Sequence, residues 1–225
     1  VLRALEWEAL SLTRKVACVA VGCSLIPGFA AAWWLARREF RGKALVDGLL
    51  HLPLVLPPVV VGYLLLVTFG RNGVIGQWLA KIDIVLPFTW QGAAVAAAVM
   101  AFPLMVRAMR LSLEAIDPGL EAAARTLGAN PLRVLFTVTM PLALPGILTG
   151  GMLAFARALS EFGATITFAA NIPGETRVLS IAIFDYVEQL RYREAHLVAG
   201  GMLVFSFLVI LAMARIGRNI GTVRP

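Results

Sequence analysis

The residues able to do chemistry in this chain are few, and the conspicuous ones stand in pairs one helical turn apart: Asp47 with His51, Glu121 with Arg125, and Arg157 with Glu161. At this spacing two side chains meet on one helix face and form a local ion pair or hydrogen bond. The hydroxyls of Thr68, Ser160, Thr165 and Thr167 are candidates for passing contacts with an oxyanion, as well as for capping and packing. Arg157 has two readings, a partner for Glu161 and a source of positive potential for an anion at the end of an apolar segment. A phosphate-binding Gly-x-x-x-x-Gly-Lys-Ser/Thr loop, His/Glu zinc spacing and a Gly-x-Ser-x-Gly elbow are all lacking. Cys18 and Cys23 are five residues apart on one apolar stretch, so a helix points them to different sides; they read as small apolar fillers, not as a disulfide or metal site. No catalytic residue and no metal ligand is assigned. The chemistry left is transient, non-covalent recognition.

The elements that position these residues are built for lipid. The chain of 225 residues is 60% hydrophobic and only 15% charged, with a mean hydropathy of +0.84. Soluble domains carry about 25% charged residues, so this is membrane-protein composition. Five spans are expected, at 16–36, 49–69, 90–106, 138–159 and 197–214, each close to the ~20 apolar residues that cross a bilayer. The first is not a signal peptide, because Trp33-Trp34 at its end and Arg37-Arg38 after it stand where a small-residue cleavage site belongs. Ionisable groups inside these spans are nearly absent, whereas ion-coupled carriers bury carboxylates or histidines as relays. The energy for any transport must then come from a separate polypeptide.

Charge sets the expected orientation. With 37–48, 107–137 and 215–225 placed inside, the inner segments hold a clear excess of Lys and Arg over Asp and Glu, whereas 1–15, 70–89 and 160–196 are balanced. The N-terminus is therefore expected outside and the C-terminus in the cytoplasm, with Arg14-Lys15 against the trend. The pI near 10.2 accordingly needs no nucleic acid to explain it.

Prolines break the interior. Pro53, Pro57 and Pro58 each remove a backbone donor from the second span, which is expected to be kinked and interior, beside a substrate route. Pro141 and Pro145 repeat the theme before Gly146-Ile147-Leu148-Thr149-Gly150, a spacing that permits close helix approach. In the outer loop 160–196, Gly163-Ala164-Thr165-Ile166-Thr167-Phe168-Ala169-Ala170 is expected to be partly re-entrant. An amphipathic surface helix over 178–190 follows, with Ile181, Phe184 and Val187 on one side.

The loop 107–137 carries two helix starts of one kind. Asp117-Pro118 and Asn130-Pro131 each place an N-cap residue before a proline at the first helical position. Gly128 lies between them, where a helix end needs positive φ. The reading is helix, tight turn, helix, facing water, which suits a docking surface for a partner.

This loop resembles the signature of binding-protein-dependent ABC importer permeases, written EAA, three residues, G, nine residues, I-x-L-P. Aligned on Gly128, Ala122-Ala123-Ala124 occupy the EAA positions, Glu121 stands one residue early, and Val138-Thr139-Met140-Pro141 closes the motif conservatively. The stretches HLPLVLPPVVVG from His51, EAAARTLG from Glu121, and SEFGATITFA from Ser160 followed by NIPGET are similar to the molybdate-importing branch, sulfate permeases sharing part of them.

The resemblance implies an all-α polytopic membrane protein, a type I, MetI-like five-helix permease core with a cytoplasmic coupling helix, in one domain over 1–225. It implies a multi-pass protein of the bacterial cytoplasmic (inner) membrane that is not itself an enzyme and binds no cofactor, ATP and Mg acting on a partner. The partners implied are a second copy of the chain, a cytoplasmic ATPase dimer, an extracytoplasmic molybdate-binding protein and the lipid bilayer. Leu120, Glu121, Ala122, Ala123, Ala124, Arg125, Leu127, Gly128 and Pro131 would form the coupling element. Leu120, Ala123, Ala124 and Leu127 would lie on one face, with Glu121 and Arg125 paired at its rim. Two permease copies would alternate between inward- and outward-open states. Sulfate, thiosulfate and tungstate are the alternative cargoes, and a self-sufficient anion carrier is the rival of another class. The tail 215–225 is too short for the extra regulatory domain of some relatives.

Overall fold

The computed structural model describes residues 2–221, and all the regular structure among them is helical. The first helix, α1 (Leu2–Arg37), runs for 36 residues, about 54 Å at 1.5 Å per residue, and so exceeds a hydrocarbon layer of about 30 Å. The expected first span is therefore only its second half. Lys15, the residue against the charge trend, lies over the Trp90 ring at 3.5 Å, a cation–π contact.

The expected second span is two helices, α2 (Lys43–Val55) and α3 (Pro58–Phe69), at 114° to each other. The cause is local. A residue before proline is driven from the helical region, and both Leu56 (ψ 141°) and Pro57 (ψ 133°) precede one. The break is thus far sharper than a kink, and within the single chain one side of it is open. No residue of α2 is buried, and Leu49, Leu52, Val55, Val59, Tyr63 and Val67 are all exposed. Among the described residues four helices are long and apolar enough to cross a membrane, and the number reaches five when the bent pair counts as one span.

After the short α4 (Gly76–Ala80), Thr89 opens α5 (Trp90–Glu114) by accepting a 3.1 Å hydrogen bond from the Gly92 amide. This helix is the centre of the fold. It passes beyond the expected end at 106, because Leu113 and Ile116 remain buried in the main core. Ala93, Ala94, Ala97 and Ala101 are buried with Val16, Ala17 and Ala20 of α1. The polar loop of 107–137 is consequently much shorter than its sequence suggests. It contains α6 (Pro118–Thr126), and a helix resumes as α7 (Pro131–Val134), continuing through a π-turn at Leu135–Thr139 into α8 (Met140–Leu159).

The Gly-x-x-x-Gly of α8 faces α5. A Cβ on Gly146 would collide with Ser112, and one on Gly150 would stand 2.9 Å from the Met105 carbonyl oxygen. The backbones therefore meet where a side chain would separate them. The expected re-entrant stretch is α9 (Gly163–Ala169), a seven-residue helix packed on α3, where Gly62 abuts Ala164. The loop after it is tied down by the buried Thr176, whose hydroxyl donates to the Ala170 carbonyl at 3.1 Å.

The surface helix forms as α10 (Leu179–Glu188), with a different face inward. Leu179, Ile181, Ala182 and Tyr186 are buried, whereas Phe184 and Val187 are exposed. Packing against α1 and α11 (Tyr192–Gly221) selects that face: Leu179, Ala182 and Tyr186 cluster with Ala9, Ala195 and Val198. Residues 222–225, the end of the tail from Arg215, lie outside the described residues.

Gly146→Leu is expected to lower the thermal unfolding midpoint in detergent. Forcing a large side chain into a filled interface costs about 1–3 kcal/mol or more. Leucine at the neighbouring Gly151, whose Cβ would reach only Leu25 at 3.7 Å, should shift the midpoint far less.

Candidate functional site

The helix–turn–helix of the loop forms as its caps dictate. Asp117 accepts from the Gly119 amide at 2.8 Å, Asn130 accepts from the Arg133 amide at 2.8 Å, and Pro118 and Pro131 take the first helical positions. Gly128 adopts φ +87° between them. Its amide bonds the Arg125 carbonyl at 2.9 Å and the Ala129 amide bonds that of Ala124 at 3.1 Å, the two reverse bonds of a Schellman motif. A Cβ at Gly128 would meet nothing within 4 Å, so the position requires glycine for its dihedral angle and not for space.

The two faces of α6 differ. Leu120 is 49% exposed and Leu127, its cap, is 88% exposed; Ala122, Ala123 and Arg125 are exposed as well. Leucines this open, on a nine-residue helix with no buried residue, leave an exposed apolar surface. Ala124, one turn after Leu120, is partly covered and stands at the edge of that face nearest Glu121.

Glu121 departs most from expectation. It does not pair with Arg125. Its Oε1 accepts from Arg37 Nη2 at 2.7 Å and from Thr139 Oγ1 at 2.9 Å, and its side chain is only 12% exposed. It points into the molecule, toward a cavity of about 360 Å³ lined also by Trp33, Arg37, Arg125 and Val134. Arg37 and Thr139 were not among the expected site residues. A partner 84 residues away leaves no local trace in a sequence, although an arginine closing an apolar helix is a visible signal.

The second charged cluster joins α2 to α5. Asp47 and His51 do approach, at 3.4 Å, but Asp47 is held more closely by Arg110 at 2.9 Å, and Arg110 in turn contacts Glu114 at 2.7 Å. A cavity of about 600 Å³ lies beside them, with Arg107 on its wall.

A family profile described as "Binding-protein-dependent transport system inner membrane component" matches residues 28–220. The Molybdenum transport system permease protein ModB of Escherichia coli (strain K12) is 53% identical over 219 residues, covering 95% of this chain and 96% of that protein. The chain belongs to that inner-membrane component family. The Sulfate transport system permease protein CysT of Escherichia coli (strain K12) is 37% identical over 229 residues, covering 95% of this chain and 82% of that protein. Among solved structures, a bacterial ABC transporter involved in the import of the acidic polysaccharide alginate superposes with a TM-score of 0.76 at 17% identity, covering 95% of this chain and 79% of that one. The all-α, MetI-like importer permease fold expected from the sequence is the fold of the chain. As a member of this family it is a multi-pass inner-membrane permease subunit and not an enzyme.

Within this permease three of the pathway hydroxyls are engaged locally. Thr68, Ser160 and Thr167 donate their hydroxyls to Leu64, Arg157 and Gly163 carbonyls of their own helices, at 2.7, 3.1 and 2.8 Å, and Thr165 is buried. Arg157 stands 2.6 Å from Glu161, whose carboxylate is almost wholly buried and whose Oε1 accepts from the Ala164 amide at the start of α9. The guanidinium thus balances a buried charge, which favours the ion-pair reading over the outer-mouth one.

Arg157→Gln is expected to destabilise the protein strongly, because it strands the Glu161 carboxylate; breaking a buried pair costs about 3–5 kcal/mol. The double change Arg157→Gln with Glu161→Gln should recover most of the lost thermal midpoint. Equal losses in the single and double variants would refute the charge-balancing role.

Proposed function

We propose that this chain is the permease subunit of an ATP-driven importer for molybdate, working as a pair of identical copies. The carrying observation is the two-faced α6, a short, fully capped helix that presents Leu120, Ala123 and Leu127 outward and is held from within by Glu121. Such a surface suits the groove of a cytoplasmic ATPase subunit: apolar residues fill the groove, small ones let the helix sit deep, and Gly128 gives the turn that keeps Pro131 and α7 clear. The energy source has to be a partner of this kind, since the chain has no nucleotide-binding loop. ATP and Mg belong to that partner.

The remaining assignments follow from the same reading. The loop side carrying α6 and the C-terminus faces the cytoplasm, and the N-terminus faces the periplasm, as the excess of Lys and Arg favours. The open apolar face of α2 and α3 is available to the second copy, so the translocation route runs between copies and past the break at Pro57. An extracytoplasmic binding protein delivers the anion, and nucleotide-driven closure of the ATPases rocks the two permeases between outward- and inward-open states. Molybdate is preferred over sulfate because the relative named for molybdenum transport is 53% identical and the one named for sulfate 37%.

Uptake of labelled molybdate and sulfate by the reconstituted permease, ATPase and binding protein tests this directly. ATP-dependent molybdate uptake is expected, and flux through the permease alone would instead reveal a self-sufficient carrier. Gly128→Asp, whose Cβ would meet nothing within 4 Å, should insert normally and abolish uptake, since the charge stands on the docking surface. Gly128→Asn, which tolerates positive φ without a charge, should retain a substantial part of it. Parental uptake in Gly128→Asp would remove α6 from the coupling role.

A further inference from the structure

We infer that Glu121 is a positioning residue that ties the docking helix to α1 and to the start of α8, and is not a contact for the partner. Among the described residues it is the one α6 side chain with a polar bond to another element. The other two side-chain bonds of this segment, Asp117 to the Gly119 amide and Thr126 to the Ala123 carbonyl, stay within it. Both of its bonds converge on Oε1, from Arg37 at 2.7 Å and from Thr139 at 2.9 Å. Arg37 is the last residue of α1, and Thr139, only 1% exposed, is the last residue of the π-turn that leads into α8. One carboxylate oxygen therefore joins three elements.

The dependence is mutual. The Arg37 Nε is buried with no hydrogen-bond partner, so Glu121 is the acceptor that holds this guanidinium. With side chains 18% and 12% exposed, the pair is sheltered enough for loss of either charge to leave the other unbalanced in a poor solvent. The apolar packing of α6 is slight by comparison, since none of its residues is buried and it rests on α7 and the π-turn. A push on α6 along its axis or across it is thus transmitted through the carboxylate to the ends of two membrane helices. A residue facing the partner would sit on the side of Leu120, Ala123 and Leu127, and Glu121 is turned about 100° from Leu120, into the molecule.

The inference rests on the permease reading for its consequence, but its test has an arm that does not. In the purified permease, Glu121→Gln and Arg37→Gln should each raise amide hydrogen exchange over residues 119–127 by roughly tenfold or more. The exchanged pair, Glu121→Arg with Arg37→Glu, should return exchange toward the parental rate. Thr139→Val, which leaves the ion pair in place, should raise it several-fold and stands in should a charge variant fail to insert. In the reconstituted complex, uptake per ATP hydrolysed should fall in the single variants and recover in the exchanged pair. Parental exchange in the single variants, or an exchanged pair as loose as they are, overturns the positioning role. Absence of molybdate uptake in the parental complex would instead sink the cargo assignment and leave the exchange result standing.

Discussion

Close approach of α5 to α1 and α8 is the constraint on which the other contacts depend. Lipid supplies no hydrophobic drive between helices, so association rests on van der Waals contact, which needs small residues where backbones meet. The alanines of α5 and α1, with Gly146 and Gly150 of α8, provide it. Because α5 is clasped on two sides, 61% of its most apolar stretch is buried, against 11% for α11. The charged cluster that joins α2 to α5, the turn that carries α6 and the platform for α9 all take their positions from this helix. Enlarging one glycine would move all of them together.

What was legible in the sequence divides along physical lines. Local rules gave the caps at Asp117 and Asn130, the turn at Gly128 and the break at Pro57-Pro58, because each is decided within a few residues by dihedral angles and donor count. Hydropathy gave the membrane helices but missed their ends. Helix α5 runs on past its apolar stretch because Leu113 and Ile116 find burial against other helices, and hydropathy along one strand of sequence cannot see a neighbour.

The interior of the docking loop was misread for the same reason. Glu121 and Arg125 stand at the spacing of a local pair, and such pairs stabilise an exposed helix by only about 0.2–0.5 kcal/mol. A sheltered arginine and a buried hydroxyl compete easily with that. The face of α10 shows the same override: its periodicity allowed Phe184 and Val187 beside Ile181, and contact with α1 and α11 chose Leu179, Ala182 and Tyr186. Sequence patterns constrain which faces are possible, and packing selects among them.

The π-turn at Leu135–Thr139 has a bearing on how α8 can be altered. A turn of this kind winds one residue more than an α-helix uses, so the junction holds a spare residue's length of chain. Rewound with 3.6 residues per turn, the segment before it would rotate by about 100° against the rest of α8. The widened turn therefore works as a phase adjuster, setting the angular offset between the end that carries Thr139 toward Glu121 and the end that lays Gly146 on α5. A single-residue deletion inside it, before Thr139, would be absorbed as ordinary helix with the flanking segments still in phase. The same deletion one turn later would swing the glycine face away from its neighbour.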